Sequence, residues 1–159
     1  YSLNFSLNIH EPVKWIIENS FDIDLKWNKK QIEEHFSNKK SFNIFYKDEN
    51  VLRGVILAHE IFDDNQNYEC EILHLGVMKN YRKMGIGFQL MQFLEKKICL
   101  NEKITSIFLE VSKQNKIAIK LYQKLGYKSY RERKNYYKNL LDINAIGESA
   151  ILLKKIINE

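Results

Sequence analysis

The sequence predicts a single α/β domain spanning residues 1–159, with a central mixed sheet of about seven strands and about four helices. Three observations carry this. The chain has 159 residues, 45% of them hydrophobic, enough for one full core. The apolar pattern switches repeatedly between two-residue alternation and helical spacing, in the order β, α, α, β, β, β, α, β, α, β, β. The two later helices each lie between strands, so they cross over the sheet and make part of it parallel.

The elements follow from local signals. "SLNFSLNIH" alternates Leu3, Phe5, Leu7 and Ile9 with polar residues, as a half-buried strand does. Pro12 suits the start of a helix carrying Val13, Ile16 and Ile17. Asn28 can cap a short second helix that carries Ile32 and Phe36. Phe42–Lys47, Val51–Phe62 and Tyr68–Met78, separated by polar turns, read as an antiparallel meander. A helix from Gly85 to Leu100 places Ile86, Leu90, Phe93, Leu94 and Ile98 at helical spacing. Thr105–Val111 is continuously apolar and therefore a central strand. Asn115–Gly126 is a helix with Asn115 as cap, an apolar face of Ile117, Ala118, Leu121, Tyr122 and Leu125, and Gly126 as its stop. "YKSYRERKNYY" and "ESAILLKKII" form a final strand pair joined across "KNLLDINAIG".

Composition excludes several classes. One proline and six glycines do not make a disordered chain. No long uncharged apolar run is present to span a bilayer, so no membrane partner is expected. Cys70 and Cys99 sit in apolar segments and are expected buried and reduced, which points to an intracellular, cytoplasmic setting. The first residue is Tyr1 rather than Met; a trimmed chain is expected, and an organelle address upstream stays open. His10, His35, His59 and His74 lack metal-ligand spacing, so no metal is expected. The net charge of +5 would draw an anionic ligand, although abundant Lys, Asn and Ile beside scarce Arg also fits biased codon usage. No nucleic-acid-binding signature accompanies the charge.

The stretch "NYRKMGIGFQLM" sits between a strand and a helix. Glycines there admit close approach of an anion to free backbone N–H groups at a helix start, and Arg82 and Lys83 add positive charge. It lacks the Gly-Lys-Ser/Thr of a Walker loop and the third glycine of a dinucleotide fingerprint. On its own it is equally a glycine-marked turn.

Together with "LEVSKQNKIAIKLYQKLGY", however, it resembles the GNAT superfamily of N-acetyltransferases. Arg82-Lys83-Met84-Gly85-Ile86-Gly87 matches that family's pyrophosphate pattern, Arg/Gln-x-x-Gly-x-Gly/Ala. Leu109–Tyr127 matches its second block, strand, Asn, helix, Leu-Tyr and Gly-Phe/Tyr. Asn135-Tyr136-Tyr137 is similar to a feature of the protein N-terminal acetyltransferases of ribosomal-protein-alanine type. The resemblance is strong over Glu71–Tyr137, and "ENSFDIDLKWNKKQI" is similar to the helix–loop–helix that walls the peptide site in that group.

The resemblance implies the GNAT fold and transfer of acetyl from acetyl-CoA to a protein or peptide N-terminus, with coenzyme A as product. It implies that Arg82, Lys83, Met84, Gly85, Ile86, Gly87 and Phe88 wrap the pyrophosphate, and that Leu75, Gly76 and Val77 pair with pantetheine like another strand. The Val77 N–H would face the thioester carbonyl. Asn115 would contact the cofactor, or serve as a plain helix cap. Glu110 would be the general base; the plainer reading is an exposed strand-end glutamate, and some relatives carry histidine at the matching place. Glu71 and His74 are reserve candidates. Tyr122 would be the general acid, or simply a core aromatic. Tyr136 and Tyr137 would line the substrate amine, with Trp27 facing them or merely packing. Arg131, Arg133 and Lys134 read as a solvated strand face. The alternatives are acetylation of lysine side chains or small amines, or a non-catalytic acyl-CoA-binding module. The resemblance allows an auxiliary subunit; otherwise a monomer is expected.

Overall fold

The computed structural model describes Lys14 and residues 28–49, 51–62, 67–137 and 148–158. The expected strand Leu3–Ile9, the helix after Pro12, Trp27 and the connection 138–147 lie outside the described residues.

Among those residues there are six strands and three α-helices. Their order is α1 (Lys29–Ser37), β1 (Ser41–Asp48), β2 (Val51–Phe62), β3 (Tyr68–Val77), α2 (Ile86–Cys99), β4 (Ile104–Ser112), α3 (Lys116–Lys124), β5 (Lys128–Tyr137) and β6 (Glu148–Ile156). A 3-10 turn at Lys79–Tyr81 leads from β3 toward α2. The six strands form one sheet in the order β1-β2-β3-β4-β6-β5. The meander β1-β2-β3 is antiparallel, and β3 pairs parallel with β4 through the α2 crossover. The second crossover does not give an adjacent parallel pair, because β6 is inserted between β4 and β5 and is antiparallel to both.

Helices cover both faces. On one, α2 and α3 bury Ile86, Leu90, Met91, Leu94, Ile98 and Tyr122 against Ile56, Ile72, Leu109 and Leu153. On the other, which we call the front face, Ile32 of α1 packs on Leu52, Val55 and Leu57. Strand alternation divides these residues: Leu109 and Val111 face α2 and α3, so Glu110 between them belongs to the front face.

Three expectations need correction. Phe93 is 41% exposed, and Met91 fills the core instead; both lie at margins of the helical stripe, and the sheet covers the Met91 side. Ile117 is 73% exposed because it stands about a quarter turn from the buried arc of α3. Cys99, one position past the buried Ile98, is exposed rather than buried, whereas Cys70 is buried and its thiol is pushed up to about 12, first by burial and then by Glu71 and Glu60.

The cap of α1 is reciprocal. The Asn28 side chain accepts from the Gln31 N–H, and the Gln31 side chain accepts from the Asn28 N–H, both at 2.9 Å. Asn28→Ala removes an acceptor for an orphan helix donor and is expected to cost about 1 kcal/mol. A thermal melt checks this: Tm should fall by roughly 2–4 °C, and an unchanged Tm would mean that α1 is held by packing alone.

Candidate active site

The sheet opens at the C-terminal end of β3. The parallel ladder ends at the pair Ile72–Leu109, yet β3 runs on to Val77 and β4 to Ser112. The cause is visible one residue later. Leu57 of β2 pairs with His74 and Ala58 with Ile72, which leaves Leu73 as the extra residue of a bulge. A bulge bends its strand and increases its twist, so β3 turns away from β4 at that point.

Hydrogen-bond alternation decides what faces the opening. The Met78 N–H donates to the Arg53 carbonyl at 2.9 Å. In an antiparallel ladder the next pair, Gly54–Val77, then turns its main-chain groups outward, as does Ile56–Leu75. The N–H groups of Leu75 and Val77 therefore point away from β2, toward the side that β4 has left. The main chain of Gly76 turns the other way, into the β2 ladder. On the open side the Val77 carbonyl accepts from Arg82 Nε at 3.1 Å, which ties the following loop to the strand end.

That loop is bent by two left-handed residues, Lys83 at φ 63° and Gly85 at φ 83°. Gly85 is the N-cap of α2 and provides no side-chain cap. The first intrahelical bond runs from the Gln89 N–H to the Gly85 carbonyl at 3.0 Å, so the N–H groups of Ile86, Gly87 and Phe88 have no acceptor within the helix. Arg82, Lys83 and Met84 are exposed beside them. Gly87 joins three elements: a Cβ there would lie 3.5 Å from Leu121 of α3, 3.8 Å from Val77 and 4.0 Å from Leu75. A side chain at this position would project between the β3 edge and α3.

α3 is held at both ends. The Asn115 side chain accepts from the Ala118 N–H at 3.1 Å, which is the cap expected of it. At the other end, the Tyr127 N–H donates to the Tyr122 carbonyl and the Gly126 N–H to the Gln123 carbonyl, both at 3.0 Å, with Gly126 at φ 90°. This is a Schellman motif, and its apolar contact is the Tyr122–Tyr127 ring pair, with centroids 6.0 Å apart. The spacing Leu-Tyr-x-x-x-Gly-Tyr thus records a helix stop that fixes Tyr122, 7% exposed, in the core on the α2/α3 side of the sheet.

Glu110 is on the opposite face. It is 22% exposed and pairs with Arg133 Nη1 at 3.2 Å. Arg131, Arg133 and Lys134 are exposed, as expected of a solvated face, and Arg133 in addition makes this ion pair. Glu71, also on the front face, is paired with His59 of β2 at 2.9 Å. The sequence alone does not show this contact, which follows once β2 and β3 are aligned with His59 opposite Glu71. His74 is 3% exposed, and burial pushes its imidazole down to about 3, which makes it a weak proton acceptor. Tyr136 and Tyr137 belong to the backbone of β5, but their side chains lie outside the described part. Among the described residues no three His, Cys, Asp or Glu side chains come together as metal ligands, and no helix is long and apolar enough to cross a membrane.

A sequence model described as the acetyltransferase (GNAT) family matches residues 9–127. The chain belongs to the GNAT acetyltransferase family. Among GNAT relatives, the N-alpha-acetyltransferase of Sulfurisphaera tokodaii is 34% identical over 82 residues, covering 52% of this chain and 45% of that protein. N-alpha-acetyltransferase 50 of Danio rerio is 35% identical over 80 residues, 49% of this chain and 47% of that protein. The matches thus span about half the length of these curated relatives. In fold, the chain is similar to the ribosomal-protein-S18-alanine N-acetyltransferase from Escherichia coli, with a TM-score of 0.81 at 19% identity over 98% of this chain and 92% of that one. NAA60 of Arabidopsis thaliana, solved with acetyl-CoA, gives 0.78 at 20% identity over 94% of each. The expected GNAT fold is therefore the observed one.

Proposed function

We propose that this GNAT chain transfers the acetyl group of acetyl-CoA to the N-terminal α-amine of a protein or peptide. The observation that carries the reading is the opening between β3 and β4, with a carboxylate on one face of the sheet and a tyrosine on the other. The names of the sequence relatives support the α-amine as acceptor.

The residues fit acetyl-CoA. The outward N–H groups of Leu75 and Val77 offer the edge of a strand to the amides of pantetheine. The uncapped N–H groups of Ile86, Gly87 and Phe88, with Arg82 and Lys83 beside them, suit a pyrophosphate. Gly87, without a side chain, lies between the two. Gly76 supplies the absence of a side chain rather than a hydrogen bond, and Met84 and Asn115 flank the path, Asn115 keeping its cap. Bound there, acetyl-CoA supplies an acetyl thioester whose carbonyl carbon is electrophilic.

The chain's own groups do the rest. An α-ammonium has a pKa of about 7.7–8.0, so at neutral pH it must lose a proton before it attacks. Glu110 accepts that proton, directly or through water, from an amine approaching the front face. The Val77 N–H, fixed by the β2 ladder, donates to negative charge developing on the carbonyl oxygen. A departing thiolate has a parent pKa near 8.5, and the Tyr122 hydroxyl protonates it from the far side of the opening. We assign contact with the amine to the pair Tyr136 and Tyr137, which follow Arg133 along β5.

The test compares short peptides with free and with blocked α-amines, each containing one lysine, with products read by mass spectrometry. Acetylation should require the free α-amine. Reaction at lysine alone would replace the acceptor in this proposal, and stabilisation by CoA without any product would reduce the chain to a binding module.

A further inference from the structure

The ion pair between Glu110 and Arg133 joins strands that are not neighbours. Glu110 lies on β4 and Arg133 on β5, with β6 between them, so their backbones stand about two strand spacings, roughly 9.6 Å, apart. In register, Glu110 is opposite Leu152, whereas Arg133 is opposite Ala150. The contact therefore runs diagonally over β6. The diagonal passes between Ala150 and Leu152, and the single methyl of Ala150 leaves room beside it for the start of the long Arg133 stem. Arg133 is 43% exposed and could extend into water, yet it places Nη1 3.2 Å from the Glu110 carboxylate.

We infer that Arg133 is a positioning residue: it holds the Glu110 carboxylate ionised and in a fixed rotamer at the opening of the sheet. This rests on the reading of Glu110 as the base. A guanidinium stays charged at every working pH and presents donors in a rigid fork, so it orients a carboxylate as well as biasing its charge. Among the described residues, the ionisable groups on this face include Glu69, Glu71 and His74 of β3, His35 of α1, His59 of β2, Glu148 and Lys154 of β6, and Lys128, Tyr130 and Arg131 of β5. Several of these are engaged elsewhere: Glu71 with His59, Lys154 with Glu69 and Glu148 with Ser112. Arg133 is a cation in direct contact with Glu110. The same contact fastens the base to the strand that carries Tyr136 and Tyr137, three and four residues farther along.

Two readouts test the inference in the full chain. The first is the titration of the Glu110 side-chain carboxyl carbon by NMR, assigned with Glu110→Gln, in the wild type, Arg133→Met and Arg133→Lys. Without the guanidinium the carboxyl should titrate higher by about half to one pH unit, the exposure of the pair limiting the shift, and lysine should recover much of it. The second is kcat against pH on the peptide substrate: the acidic limb should move upward in Arg133→Met by the same amount and return in Arg133→Lys. A merely structural role would lower kcat at all pH values without moving the limb. An unchanged Glu110 titration in Arg133→Met overturns the inference. Unchanged turnover in Glu110→Gln would instead remove the base assignment on which it rests, while the carboxyl titration still reports on Arg133. Should Arg133→Met not fold, Arg133→Gln keeps a polar strand-edge residue and removes the charge for the same measurements.

Discussion

Glu110→Gln is expected to lower kcat by about 10²–10⁴-fold, the range that general-base catalysis commonly contributes. The substitution keeps the shape of the side chain and an oxygen that can accept from Arg133, so the β4–β5 connection and the sheet should survive. Cofactor binding should survive as well, because the groups assigned to it are the β3 edge, the loop and the start of α2. The residual reaction should climb with pH, since without a base it depends on the fraction of amine already neutral. Steady-state rates on a free-α-amine peptide across pH 6–9.5 check this, roughly bracketing the amine pKa. Wild-type turnover in the variant would exclude Glu110 from the mechanism and return attention to Glu71, whose His59 partner could carry a proton onward.

Gly87→Trp is expected to abolish CoA binding. The position faces Leu121, Val77 and Leu75 at 3.5–4.0 Å, so an indole there would project between α3 and the β3 edge, across the N–H groups assigned to CoA. The measurement is the thermal shift on adding CoA. At about a hundred times Kd, a ligand stabilises the native state by about 2.7 kcal/mol, a rise of roughly 5–10 °C for a domain of this size. The tryptophan variant should show none of it. Gly87→Ala is the useful companion: its methyl meets only ordinary van der Waals distances, so the fold tolerates it and any loss of CoA affinity reports on the ligand. Gly85 would be a poorer choice, because at φ 83° a side chain is strained whether or not a cofactor binds. Persistent stabilisation of Gly87→Trp by CoA would place the cofactor elsewhere.

Both variants rest on features of unequal visibility in the sequence. Helix caps and strand extents are local, and they were readable: Asn28, Asn115, Gly126 and the limits of β2 lie where the residues indicate. The meander was readable too, because short polar turns force neighbouring strands together. The opening of the sheet was not, because Leu73 resembles any other strand residue and its bulge arises from the pairing of two strands. Nor was the insertion of β6, which depends on which edge of β4 remains free after β3 has paired. With strand order hidden, Arg133 could be assigned only to a solvated face, and its partner across β6 could not be seen. Amphipathic periodicity erred at its margins, at Phe93 and Ile117, where a shift of the packing arc by a fraction of a turn exchanges buried for exposed. The loop was legible as a candidate phosphate site, whereas its linkage to Leu121 through Gly87 required the packing of α2 on α3.

The placement of β6 also imposes an order of assembly. β6 follows β5 in the chain but must sit between β5 and β4 in the sheet. The meander, α2 and β4 can pair through nearer segments. The strand bearing Glu110 cannot gain its second neighbour, nor Arg133 its route across β6, until the last described strand has slid into place. A chain emerging from the ribosome would therefore hold the proposed cofactor-binding strand edge and loop before the proposed base has its arginine partner.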